Sequence, residues 1–186
     1  LAFMNSMLVK YCQYAKYENV RVTIPRTVVV ATDYFDAFIR NNGLEYVLTT
    51  EMTDEEILSE FVSSTLPYKL REALKAYVRT VSGPLAVRSS SKLEDSHYQP
   101  FAGIYSTYMI PYTEGNEDRQ LRLLQKAIKS VYASTYFAAS KAYVQSSQNL
   151  IAEEKMAVVI QEVCGTEQDG LFFPTLSGVA RSINYY

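Results

Sequence analysis

The sequence predicts an α+β fold, in which helices and strands follow one another without a regular strand–helix–strand alternation. Segments with apolar residues at helical spacing are mixed irregularly with short segments rich in Val, Ile and Thr. Hydrophobic residues make up 48% and charged residues 20% of the 186 positions. That balance is typical of a globular protein and provides enough apolar surface for one domain or one large lobe.

The first third of the chain predicts two helices around one strand. Residues 2–17 fit a helix because apolar side chains recur every three or four positions. Residues 20–31 are rich in Val, Ile and Thr, and they predict a loop followed by a strand. Thr32 or Asp33 is expected to cap a short helix that ends at the turn-forming Asn41-Asn42-Gly43.

Two further helices are predicted before residue 84. Thr53 and Glu56 have the spacing of a capping box, in which each side chain accepts a hydrogen bond from a free backbone N–H. Pro67 suits the first turn of the next helix, which Gly83-Pro84 ends. The buried face of that helix is predicted to comprise five residues, namely Leu70, Leu74, Tyr77, Val78 and Val81.

The remaining chain predicts strands on either side of a long helix. Residues 85–87 form a short buried strand, and residues 101–111 form a second strand pair or hairpin arm. Residues 117–145 fit one long helix that tolerates a kink. Residues 155–163 form a strongly apolar strand, and residues 178–186 begin another.

Composition argues against several classes of function. The net charge of -2 offers no basic surface for nucleic acid. Cys12 and Cys164 form neither a disulfide framework nor a metal-ligand spacing, and we expect both to be reduced, as in a cytoplasmic protein. Apolar runs are far too short to span a bilayer, and no signal peptide is visible. Leu1 opens a segment that already has a helical pattern, so we expect the sequence to be cut from a longer protein.

The first stretch that can carry chemistry surrounds Arg88. A strand delivers this arginine to its end, and Ser89-Ser90-Ser91 and the acidic pair Glu94-Asp95 follow. A guanidinium group binds phosphate oxygens in bidentate fashion, and serine hydroxyls and loop amides can add donors to an anion. The alternative is that Arg88 pairs with Glu94 or Asp95 and the serines form a turn, and pattern alone favours this alternative.

Two other stretches combine backbone access with polar groups. Gly103 has no Cβ, so its backbone could approach a ligand, and Thr107 would share a strand face with Tyr105 and Gly103. The alternative is a hairpin with one glycine at a bulge.

The strand at residues 156–163 ends in polar residues, where backbone N–H and C=O groups can meet the edge of a purine. The alternative there is a core strand that surfaces at its end.

Taken together and in this order, these stretches resemble the ATP-binding domain shared by pyruvate phosphate dikinase, phosphoenolpyruvate synthase and the rifampin phosphotransferases. The resemblance is collinear and covers nearly the whole chain, although no single motif carries it. The matching segments are Val87-Arg88-Ser89-Ser90 with Glu94-Asp95, Phe101-Ala102-Gly103 with Thr107, Val158-Val159-Ile160-Gln161-Glu162-Val163, Gly178-Val179-Ala180, and residues 22–32. Because that domain is of the ATP-grasp type, the resemblance implies an ATP-grasp-type nucleotide-binding lobe over residues 1–186, truncated at both ends.

The resemblance also implies a role for each matching residue. Arg88 would contact the triphosphate of ATP and take part in catalysis. Gly103 and Thr107 would belong to the mobile loop and strand that cover the phosphates. The adenine pocket would be lined by the end of the apolar strand, namely Gln161, Glu162 and Val163, the last two chiefly through backbone hydrogen bonds.

The sequence departs from the family's pattern in several places. The glycine-rich segment with the phosphate-binding lysine would precede residue 1, and the acidic and amide ligands of Mg²⁺ would follow residue 186. The phosphohistidine domain would also lie elsewhere. His97 is not the phosphorylated histidine, because the family has no catalytic histidine at this place, and we expect it to be a loop residue. Arg181 stands where the family usually has an aromatic residue.

The function implied for the parent protein is ATP-dependent phosphoryl transfer. It would bind Mg-ATP, phosphorylate a histidine on a separate domain, and then pass the phosphoryl group to pyruvate or another alcohol or enol. Such a step depends mostly on positioning and charge neutralisation, and the chain alone is expected to be inactive. Two alternatives stay open: a degenerate module that binds or regulates without catalysis, and a phosphotransferase acting on an antibiotic or a glucan. Exposed strand edges would invite association, so a homodimer is compatible with this reading.

Overall fold

The computed structural model describes most of the chain, namely residues 2–11, 18–20, 22–91, 105–146, 155–180 and 182–183. The chain forms two compact units, of which the larger is Arg26–Glu162 and the smaller combines Leu1–Pro25 with Val163–Tyr186. The described elements, in chain order, are α1 (Ala2–Lys10), β1 (Thr27–Val30), α2 (Thr32–Asn42), a 3₁₀ helix (Leu44–Leu48), α3 (Asp54–Ser63), α4 (Tyr68–Val78), β2 (Leu85–Ser91), β3 (Tyr108–Ile110), α5 (Glu117–Ser134), α6 (Ala138–Ser146), β4 (Met156–Glu162), β5 (Thr166–Gln168) and β6 (Leu171–Phe173).

The larger unit contains a four-stranded sheet with the strand order β1-β4-β2-β3. Every neighbouring pair is antiparallel. Ile160 in β4 pairs with Val28 of β1 on one side and with Val87 of β2 on the other. This mixture of helices with an antiparallel sheet confirms the predicted α+β class.

One face of the sheet, which we call the inner face, is covered by helices. Its fully buried side chains include Leu85, Val87, Met156, Val158 and Ile160. Helix α5 packs against β2, β3 and β4, helix α2 packs against β4, and helices α3 and α4 pack on α5. The alternating burial of β4 follows from the two-residue period of a strand with one covered face.

An aromatic cluster joins three of these helices. Phe35 and Phe38 from α2, Phe61 from α3 and Tyr132 from α5 are packed with ring centroids 5.1 to 5.7 Å apart. The Tyr132 hydroxyl is buried and has no hydrogen-bond partner among the described residues. Burial, with a smaller contribution from Asp33, raises the pKa of Tyr132 above its usual range.

The helix boundaries follow most of the predicted end signals. The capping box is present, because Glu56 N–H donates to Thr53 Oγ1 at 3.2 Å and Thr53 N–H donates to Glu56 Oε2 at 2.8 Å. Gly43 ends α2 in the left-handed conformation with φ 62°. The predicted cap at Thr32 or Asp33 is wrong, because Ala31 holds the N-cap position and has no side-chain acceptor. The long helix predicted over residues 117–145 is interrupted between α5 and α6.

The smaller unit contains α1 and a hairpin formed by β5 and β6. Asp169 and Gly170 make its two-residue turn with φ values of 52° and 77°. The strand predicted to begin at Gly178 is wrong for the described residues, since residues 178–180 are irregular and Val179 is 83% exposed. Among the described helices of both units, none has the length and apolar character needed to cross a membrane.

Candidate nucleotide-binding site

The second face of the sheet, which we call the open face, carries the outward-facing residues of all four strands. These are Thr27, Val29, Ala86, Arg88, Ser90, Met109, Ala157, Val159 and Gln161. Val29 is 58% exposed and Met109 is 62% exposed, in contrast with the fully buried Val87, Val158 and Ile160 of the inner face. The open face therefore combines apolar side chains with a cation, hydroxyl groups and an amide.

Arg88 lies in the middle of β2, not at the end of a strand as the sequence predicted. The serines after it continue the pairing with β4, so that Ser91 lies opposite Met156. Arg88 lies opposite Val159, which in turn lies opposite Val29. Its side chain is exposed and makes no hydrogen bond or ion pair with any residue that the structure describes. The alternative pairing of Arg88 with Glu94 or Asp95 falls outside the described residues.

Gln161 shares the open face with Arg88. Its Nε2 donates to Thr27 Oγ1 at 2.9 Å, so the amide is fixed on the edge strand β1. Gln161 lies opposite Ala86, two positions from Arg88 along β2. Diagonal neighbours on adjacent strands are about 7–8 Å apart, within reach of one ligand.

Glu162 points its side chain to the opposite face from Gln161, because it lies opposite the inward-facing Leu85. Its backbone N–H donates to the carbonyl oxygen of Arg26 at 3.0 Å, which extends the pairing of β4 to the residue before β1. Val163 follows β4, is half-buried, and belongs to the smaller unit.

The second predicted stretch is only partly described. Thr107 is exposed and precedes β3. Tyr105 is buried, with 6% of its surface exposed, so the prediction that Thr107 and Tyr105 share a strand face is wrong. The physical reason is that residues 105–107 are not in a strand, and the two-residue alternation does not apply to them. Gly103 lies outside the described residues.

Sequence reasoning missed Thr27 and Arg26, the two residues that hold Gln161 and Glu162. The sequence contained part of the signal for Thr27, because the two-residue period of a strand places Thr27 and Val29 on one face. The pairing of β1 with β4 joins positions 134 residues apart, and no local pattern gives that register. His97, Arg181 and Cys12 lie outside the described residues.

Other features of the described residues do not coincide with the predicted site. A cavity of about 340 Å³ is lined by Arg79, Thr113, Glu117 and Gln120 among others, and it contains none of the predicted site residues. Within the described ranges, no three His, Cys, Asp or Glu side chains are grouped closely enough to hold a metal ion. The open face, by contrast, brings two of the predicted site residues, Arg88 and Gln161, onto one surface.

Residues 5–186 match the family described as pyruvate phosphate dikinase, AMP/ATP-binding domain, and the chain belongs to this family. The chain is 31% identical over 157 residues to the "Uncharacterized phosphotransferase YvkC" of Bacillus subtilis, with 81% of this chain and 17% of that protein covered. It is 29% identical over 174 residues to a phosphoenolpyruvate synthase of Aeropyrum pernix, with 82% of this chain and 20% of that protein covered. The chain thus spans about a fifth of the length of these curated relatives.

Proposed function

We propose that the open face is the nucleotide-binding surface of an ATP-grasp-type domain, of which residues 1–186 form a part. The observation that carries the proposal is the exposed guanidinium of Arg88, which has no partner among the described residues and lies beside Val159. A guanidinium held by a strand can bind phosphate oxygens with two parallel hydrogen bonds. Membership in an AMP/ATP-binding domain family supports ATP as the source of those oxygens.

The roles divide along the sheet. Arg88 binds the phosphates, with Thr107 and Gly103 covering them. Gln161, the carbonyl of Glu162 and the N–H of Val163 meet the adenine. The shared face of Arg88 and Gln161 supports this division, because one extended ligand can reach both. Mg²⁺ would neutralise phosphate charge, and its ligands would come from outside the described residues, which group no suitable side chains.

For the parent protein we propose ATP-dependent transfer of a phosphoryl group to a histidine on a separate domain, and then to pyruvate or a related acceptor. The names of the two relatives, a phosphotransferase and a phosphoenolpyruvate synthase, support this reaction class. The histidine and acceptor sites belong to the rest of such a parent.

The test is calorimetric titration of the full-length protein with Mg-ATP, for the wild type and for Arg88→Ala. Loss of one charge-assisted contact is worth about 1.5–3 kcal/mol, so we expect affinity to fall about 10- to 150-fold. Arg88→Lys should recover only part of the loss, because an ammonium group cannot reproduce the bidentate geometry. Arg122→Ala is the matched control, because Arg122 is an exposed arginine on α5, which packs on the inner face.

Two results would count against the proposal. Unchanged ATP affinity in Arg88→Ala would remove the open face from the site. Absence of ATP binding by the wild type would sink the catalytic hypothesis and leave a degenerate module that shares only the family's sequence pattern.

A further inference from the structure

Arg26 connects the end of β4 to the end of α4. Its backbone carbonyl accepts the hydrogen bond from Glu162 N–H at 3.0 Å. Its Nη1 donates to the carbonyl oxygen of Thr80 at 2.5 Å, and the same nitrogen lies 3.6 Å from Glu162 Oε1. Arg26 is therefore attached to Glu162 through both backbone and side chain, and to the turn after α4 through Thr80.

The groups around this attachment are polar and largely buried. The Glu162 side chain is 22% exposed, and its Oε1 is buried without a hydrogen bond among the described residues. The Tyr77 hydroxyl is also buried and has no hydrogen-bond partner there. Thr80 is fixed in turn, because its N–H and Oγ1 both donate to the Tyr77 carbonyl, at 2.9 and 2.8 Å. Removing Arg26 would leave a half-buried carboxylate beside a buried phenol hydroxyl without the cation that faces it, which is an unfavourable arrangement.

The position of Glu162 in the chain gives this attachment a consequence for binding. Glu162 is the last residue of β4 and follows Gln161, whose side chain lies on the open face. Arg26 holds both the N–H and the carboxylate of Glu162, so it anchors this residue to the chain before β1 and restricts the direction of the Glu162 carbonyl. An adenine edge presents an amino donor beside a ring-nitrogen acceptor, whereas guanine presents the reverse. A backbone acceptor of fixed direction therefore distinguishes the two bases.

We propose that Arg26 is a positioning residue that sets the preference of the site for adenine over guanine. It does so by fixing the last residue of β4 through its carbonyl, its contact with Thr80 and its ion pair with Glu162. The inference rests on the proposed function, since it assumes that the end of β4 meets the base. The inference extends the proposed site by one residue that lies outside the open face. It also assigns to that residue the selectivity for the base, which Arg88 does not control.

The experiment measures dissociation constants of the full-length protein for ATP, GTP and inorganic tripolyphosphate by calorimetry, with thermal midpoints alongside. Arg26→Gln should weaken ATP binding roughly tenfold and lower the ATP-to-GTP preference by a similar factor. Tripolyphosphate affinity should stay within about twofold, because the contact with the phosphates is separate. Arg26→Lys should restore part of the preference.

Arg79→Gln is the control variant for Arg26→Gln. Arg79 also forms an ion pair, at 3.3 Å from Glu117, and its side chain is 60% exposed, close to the 53% of Arg26. It should leave all three dissociation constants unchanged. If Arg26→Gln does not fold, Glu162→Gln carries the test, because it removes the ion pair and keeps the backbone hydrogen bond. It should lower the ATP-to-GTP preference in the same direction.

The outcomes separate the two proposals. If the wild type binds ATP and the ATP-to-GTP preference is unchanged in Arg26→Gln and Glu162→Gln, the role of Arg26 is overturned while the proposed function stands. An equal loss for ATP and tripolyphosphate, together with a lower thermal midpoint, assigns Arg26 a merely structural role and overturns the inference as well. Absence of ATP binding by the wild type overturns the proposed function and this inference with it.

Discussion

The two faces of the sheet are built by alternate residues of the same strands, yet they differ in almost every physical property. On the inner face, Val87, Val158 and Ile160 are completely buried beneath α2 and α5. On the open face, Val29 is 58% exposed and Arg88 is exposed in the middle of β2. If the open face binds the nucleotide, as proposed, the difference teaches that stability and binding are separated by a single position along each strand.

The separation has a thermodynamic basis. Inner-face side chains stabilise the fold by removing apolar surface from water, at about 25 cal/mol for each Å² buried. The exposed open-face side chains, namely Val29, Arg88 and Met109, contribute less to that term, so β2 can carry an arginine there without a large loss of stability. The same exposure leaves the Arg88 side chain without a partner among the described residues, as the proposed contact with phosphate requires.

The largest expected effect is on folding, and it compares two successive residues of β4. Ile160→Ala should lower the free energy of unfolding by about 2–5 kcal/mol, because it leaves a cavity in a fully buried site. Val159→Ala, on the open face, should lower it by less than about 1 kcal/mol. Urea unfolding of both variants measures the difference, and equal losses would show that the open face is covered in the folded protein.

The second prediction concerns Arg88→Leu, which tests whether the open face is reserved for binding. The substitution should change the free energy of unfolding by no more than about 0.5 kcal/mol, because Arg88 has no partner among the described residues. ATP affinity should nevertheless fall at least tenfold, for the reason given for Arg88→Ala. A large loss of stability in Arg88→Leu would mean that the arginine supports the sheet and is not free for a ligand.

The third prediction uses pH to probe the buried phenols. Burial, then the nearby Glu162, raises the pKa of Tyr77 to about 12 from 10.0, and Arg26 opposes the shift. Below pH 10 the folded and unfolded chains both keep this proton, so the contribution to stability is complete. Between pH 10 and about 12 the unfolded chain loses the proton first, so stability falls as pH rises. Burial lowers the pKa of Lys129 from 10.5, so below pH 10.5 this group makes stability rise with pH, which is opposite to the effect of Tyr77.

Tyr77→Phe isolates the contribution of that phenol. Urea midpoints at pH 9 and pH 11 should differ less in the variant than in the wild type, since one group with a raised pKa is gone. The remaining difference should combine Tyr132 and Tyr136, which act in the same direction as Tyr77, with Lys129, which opposes them below pH 10.5. An identical pH dependence in Tyr77→Phe would show that this phenol titrates alike in the folded and unfolded chains.

The smallest expected effect is that of Tyr132→Phe. This substitution deletes a hydroxyl that is buried without a partner among the described residues, and keeps the ring that packs on Phe35 and Phe38. The free energy of unfolding should stay within about 1 kcal/mol of the wild type or rise, because no hydrogen bond is lost. Thermal unfolding measures it, and a loss of several kcal/mol would reveal a hydrogen bond to the hydroxyl.

Local patterns predicted much of the fold. The Thr53 and Glu56 capping box, the stop of α2 at Gly43 and the apolar run of β4 each depend on neighbouring residues, and all three are present. The hairpin of β5 and β6 was missed although it had a signal. Asp169-Gly170 is a favoured two-residue turn, because both residues adopt the positive φ that such hairpins need.

Other features depend on distant partners, and the sequence alone did not give them. β2 continues through Ser89, Ser90 and Ser91, residues without strong strand preference, because β4 supplies partners for each of them. That continuation moves Arg88 from a strand end to a strand middle. The family resemblance identified Arg88, Thr107 and Gln161 as site residues, but only the sheet register brings Arg88 and Gln161 onto one face. Their roles in binding stay predictions.

The strand order has a consequence for how the chain is made. β4 lies between β1 and β2 in the sheet, yet it is the last of the four strands to be synthesised. Thr27 of β1 and its partner Gln161 of β4 are 134 residues apart, so the sheet closes late and slowly. While residues 28–155 emerge from the ribosome, β1 and β2 lack their common partner, and their unpaired edges are open to other chains. A pause in translation just before Met156 would therefore prolong the period in which this protein is most prone to aggregate.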